Sequence, residues 1–128
     1  MIPVTLVSGA SARQREAAIA KALTALPASM QVALLLEGLP SPEAPLINGA
    51  RLSIARIAPG CPCCIGNLAM RVTLNRILRH PPGHLFLALA SSAHREQVRQ
   101  FLAATPYDTH LMLTPDIDCA LAPATATP

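Results

Sequence analysis

Short apolar runs separated by stretches of helical periodicity limit what this chain can fold into more than any other feature. The run Ile2 to Val7 is rich in β-formers and ends at SGAS, after which Ile19, Leu23 and Leu26 recur at helical spacing up to Pro27. Ser11 and Gln14 have the spacing of a capping box, which starts that helix near Ala12. QVALLLEG, from Gln31 to Gly38, is a continuous apolar run of the kind a strand needs when both its faces are covered. LPSPEAPLINGA reads as an exposed loop, and Arg51 to Ile57 as the next strand. From Ile65 to Arg79, Leu68 and Val72, with Met70, Leu74, Ile77 and Leu78 on an adjoining line, give an amphipathic helix that ends at HPPGH. His84 to Ala90 is a second buried strand. A helix with Val98, Phe101 and Leu102 facing inward follows, and Thr109 to Leu113 closes the pattern. Strands that alternate with helices are joined by crossovers over the sheet, so the expected fold is a three-layer α/β/α domain with a mainly parallel sheet.

The chain has 128 residues, room for one core. Residues 1–113 are expected to form a single domain. Residues 114–128, with APATATP among them, have a composition that buries little and read as a flexible tail. Hydrophobic residues make up 52% and charged ones only 13%, so part of the surface is expected to be covered by a second copy or by a client protein. A net charge of +3, one Tyr, two Phe and no Trp offer nucleic acid little to bind. No run has the length of a membrane span, and MIPVTLVSGA lacks the character of a leader, so the expected location is cytoplasmic.

The chemistry-bearing residues concentrate in PGCPCCIGNL, where Cys61, Cys63 and Cys64 stand just ahead of the predicted helix. In a reducing compartment such thiols bind metal, cycle as a redox couple or lie buried. Thiolates suit zinc and copper(I), and a helix amino terminus favours the ionised sulfur. Three local ligands leave a fourth position for water, Cys119, a neighbouring subunit or one of His80, His84, His94 and His110. Cys61 and Cys64 also satisfy C-x-x-C, the spacing of a dithiol oxidoreductase. The acidic residues are few and dispersed, and no paired-carboxylate or Ser-His-Asp arrangement can be read from them.

The order IPVTLVSG, helix, then GCPCC opening a second helix resembles the nucleotide-binding domain of the CobW-type GTPases, relatives of the UreG and HypB metal chaperones. Gly60, Cys61, Cys63 and Cys64 fit the family's G-C-x-C-C motif. The resemblance implies a P-loop NTPase-like fold and a transition metal, zinc foremost, held by Cys61, Cys63 and Cys64 in a metal-handling or regulatory module. The family's other motif, G-x-x-G-x-G-K-[ST], is degenerate. With Gly9 at the first glycine, Ala12 and Gln14 take the other two glycine positions, Arg15 the lysine and Glu16 the magnesium ligand. Glu16 would bring negative charge toward phosphates. The strand ending LALASS also lacks the acidic residue and glycine that the family carries there.

These departures imply that GTP with magnesium, and GTP hydrolysis, have been lost. Gly9, Arg13 and Arg15 then read as a vestigial anion site, because arginines in a first helical turn oppose the macrodipole unless an anion sits there. Otherwise both arginines extend into water and Arg13 pairs with Glu16. The competing readings are a GTP-binding protein using Arg15 in place of lysine, a dithiol oxidoreductase and a non-catalytic dimerising module.

Overall fold

A computed structural model of the chain describes residues 1–9, 11–38, 49, 51–57, 65–90 and 95–119, with backbone alone for 65–68. Strand β1 is Ile2–Ser8, and helix α1, Ala12–Leu23, follows it. Strands β2, Val32–Glu37, and β3, Leu52–Ile57, precede helix α2, Ile65–Arg79. Strand β4, His84–Leu89, leads to helix α3, Arg95–Ala103, a short 3-10 turn at Tyr107–Thr109 and strand β5, Leu111–Leu113. Strand β6, Ile117–Asp118, is the last described element. The expected loop at 39–50 lies outside the described residues apart from Gly49.

The strands form one sheet in the order β3-β2-β4-β1-β5, with β6 added to β1, and every described pairing is parallel. The three-layer α/β/α expectation is met. The crossover from β1 to β2 runs one way along the sheet, while those from β3 to β4 and from β4 to β5 run the other way. Right-handed crossovers of opposite direction put their helices on opposite faces. Accordingly Ile19 and Leu23 of α1 pack on Val7, Leu34, Leu36 and Phe86, whereas Met70 and Leu74 of α2 and Val98 and Leu102 of α3 pack on Leu6, Leu35 and Leu87. All six residues of β2 are buried, as its unbroken apolar run requires.

Two expectations need correction. Val72 does not join the inward line of α2: it is half-exposed, because it lies opposite Met70 and Leu74 on the helix. Nor does a tail begin at 114. The Thr114 amide donates to the Val4 carbonyl, β6 pairs with Val7 and Ser8, and Cys119 is buried. Two residues suffice because β5 uses only Ile2 to Val4 of the first strand and leaves its upper half open on that side. Residues 120–128 lie outside the described part.

Candidate functional site

Open α/β sheets bind ligands at the carboxyl ends of their strands, where neighbouring connections diverge to opposite faces. Here that point lies between β1 and β4, whose chains leave for α1 on one face and α3 on the other. A polar cluster occupies it, built from Ser8, Gly9, Glu37 and the Ala90 amide at the strand ends, Arg15 and Glu16 of α1, and Arg95 of α3.

The turn after β1 depends on Gly9, at φ 85°, a conformation that a side chain strains. The chain then enters α1 through the expected capping box: the Gln14 amide donates to Ser11 Oγ at 3.2 Å and the Ser11 amide to Gln14 Oε1 at 3.1 Å. One backbone donor that an anion could use at this helix start, the Gln14 amide, is thereby engaged from within. Arg15 is 4% exposed and folds back so that Nη1 donates to the Gly9 carbonyl at 3.2 Å. Burial pushes its pKa below the ordinary arginine value, while Cys119, Glu37 and Glu16 act in the opposite direction. Glu16 reaches across to β3, where Arg56 grips it at two points, Nη1 to Oε2 at 3.0 Å and Nη2 to Oε1 at 3.3 Å.

Gly9 and Arg15 are thus brought together, but through a guanidinium aimed at a carbonyl. The expectation that both arginines extend into water, with Arg13 paired to Glu16, does not hold. Arg13 is exposed, as expected, but Arg15 is buried and Glu16 belongs to Arg56. The cause is the helical period, which puts residues 15, 16, 19 and 23 on the face that α1 presses to the sheet.

Glu37 and Arg95 complete the cluster. Glu37, 7% exposed, closes β2 and accepts the Ala90 amide at 2.7 Å, tying the ends of β2 and β4. Arg95 Nη1 donates to Asp118 Oδ2 at 2.9 Å and to Ser8 Oγ at 3.4 Å, and Asp116 is paired with Arg95 and Arg99. The Cys119 amide donates to the Ser8 carbonyl at 2.7 Å, and its thiol lies 3.9 Å from the Gln14 carbonyl. Burial pushes that thiol's pKa up, so it sits in the cluster uncharged.

Of the residues singled out for metal, Cys61, Cys63, Cys64 and His94 lie outside the described part. By chain order the three cysteines follow the carboxyl end of β3. His84, by contrast, opens β4, and His80 and His110 precede β4 and β5, all toward the amino ends of the strands, which lie about 20 Å from the carboxyl ends by the rise of a six-residue strand. Cys119 is the described candidate for a fourth ligand at the carboxyl end. Among the described residues no group of three or more His, Cys, Asp and Glu side chains is placed to hold a metal ion. His84 is instead tied to structure: Nε2 lies 2.9 Å from Thr5 Oγ1, which lies 2.6 Å from Thr114 Oγ1. Burial lowers its pKa.

Sequence reasoning singled out neither Glu37 nor Arg56 nor Arg95. A signal existed for Glu37, a lone carboxylate closing a wholly apolar strand, where burial demands a partner. Arg56 and Arg95 carry no local mark. No family model, curated protein or solved structure matches the chain. Among the described residues no helix is long and apolar enough to cross a membrane.

Proposed function

We propose that this chain is a cytoplasmic metal-handling module that works without a nucleotide and holds a transition-metal ion, zinc foremost, through Cys61, Cys63 and Cys64. The observation that carries the first half is the Glu16–Arg56 pair together with the return of Arg15 to the Gly9 carbonyl. In the CobW-type family that the sequence resembles, these two positions hold phosphate and magnesium; here both side chains are committed inside the protein. A nucleotide would have to displace an ion pair whose carboxylate is buried, at a cost of several kcal/mol.

The second half rests on the GCPCC stretch and its place in the chain, between the carboxyl end of β3 and the start of α2. Thiolates in that order chelate a borderline or soft ion at short range and leave a position open for exchange with a client's donor. Handover by ligand exchange breaks no covalent bond and needs no general acid or base, in keeping with the dispersed carboxylates.

Metal analysis and zinc titration of the full chain, reduced and free of chelator, test this reading. One ion per chain is expected, lost in Cys61→Ser and Cys63→Ser, with a melting temperature indifferent to GDP and GTP. A wild-type protein that takes up no zinc, cobalt, nickel or copper overturns the metal reading. GTP turnover abolished by Arg15→Ala overturns the nucleotide-independent one.

A further inference from the structure

At the opposite end of the sheet from the polar cluster, the second half of α2 stands away from the β2–β3 edge and leaves a cleft of about 600 Å³. Its floor, apolar but for one hydroxyl, is formed by Ala33 of β2 with Ser53 and Ala55 of β3, and Ile77 of α2 forms a wall. Arg76 and Arg79, one helical turn apart and both exposed, stand at its rim with the His80 imidazole beside them. Among the described residues neither arginine has a carboxylate partner, in contrast to Arg56, Arg95 and Arg99.

The last turn of a helix favours cations, which accounts for the sign of the two arginines. It does not account for an open hollow beneath them. A volume of this size falls in the range that receives small organic ligands, whose apolar body fills the floor while a few polar groups fix one end. Two guanidiniums at the mouth select a planar anionic head, since their fixed donor forks match a carboxylate at two points. Among the described lining residues there is no Phe, Tyr or Trp to stack on a base, and the His80 imidazole stands at the rim rather than over the floor. A bare inorganic anion would leave the apolar floor unfilled.

We propose that this cleft binds a small amphipathic carboxylate, its head between Arg76 and Arg79 and its apolar body over Ala33 and Ala55. The proposal is independent of the metal reading. The probe is octanoate, followed by amide chemical shifts of the full chain, with inorganic phosphate and chloride in parallel titrations. Saturable shifts confined to residues around Ala33, Ala55 and Ile77 are expected, about tenfold or more weaker in the Arg76→Gln/Arg79→Gln double variant. Ala55→Leu, which fills the floor, is expected to weaken octanoate without removing either charge. The proposal is overturned by no saturable shift at low-millimolar octanoate, by shifts that map elsewhere, or by binding that the double variant leaves intact. Phosphate saturating the same residues as tightly as octanoate also overturns it, because the apolar floor would then contribute nothing. If Ala55→Leu does not fold, the exposed arginine pair still decides the outcome.

Discussion

A carboxylate that is 5% exposed must find a cation or take up a proton, and Glu16 finds Arg56. Removing one partner from such a pair strands the other. Arg56→Met is therefore expected to cost about 3 kcal/mol or more, while Glu16→Leu/Arg56→Met recovers most of the loss. Urea unfolding of the two singles and the double, read as a cycle, checks this; an Arg56→Met cost under about 1 kcal/mol would mark the pair as no stronger than a surface one. The sequence showed Glu16 to be hostile to a phosphate, since charge type is local information. It did not show the partner, which lies 40 residues away on strand β3, because no periodicity links a helix position to a strand position. The same holds for Arg95 and Asp118.

Among elements, those with their own start and stop signals were legible. Helix α2 runs from Ile65 to Arg79 as its periodicity and the HPPGH breaker dictate, and α1 begins at Ala12 where the capping box places it. Its end differs: α1 stops at Leu23, four residues ahead of Pro27, and Arg51 Nη2 donates to the carbonyls of Leu23, Leu26 and Pro27 there. Strand β6 was illegible, since two residues carry no pattern and their place is fixed by Arg95 and Arg99 reaching Asp118 and Asp116. These groups are partly exposed, so the clip contributes on the order of 1 kcal/mol. Asp116→Ala is expected to loosen residues 114–119 and to speed alkylation of the buried Cys119 severalfold, with salt moving the wild type the same way. Peptide-resolved mass spectrometry measures this, and an unchanged rate would show that the strand holds without its charges.

At the scale of the molecule, the partly buried network His84–Thr5–Thr114 joins β4, β1 and the segment after β5, and it links stability to pH. Burial lowers the folded-state pKa of His84 below the ordinary 6.5, so between those values the unfolded chain binds more protons. This contribution to stability is complete above pH 6.5 and declines as pH falls toward the folded-state value. His84→Gln, which keeps a partner for Thr5, is expected to flatten that acid slope in urea midpoints taken above and below pH 6.5; an identical slope would remove His84 as its source. The overall architecture was legible because alternating strands and helices admit few arrangements. The strand order was not, because it depends on which edges meet. That order also bears on synthesis. The first strand finds its neighbours at Leu85–Leu89, Leu111–Leu113 and Ile117–Asp118, whereas β2 and β3 lie side by side in both chain and sheet. A nascent chain can zip β2 to β3 early, but the segment that leaves the ribosome first must wait more than eighty residues for a partner and is then inserted into the middle of a sheet already begun.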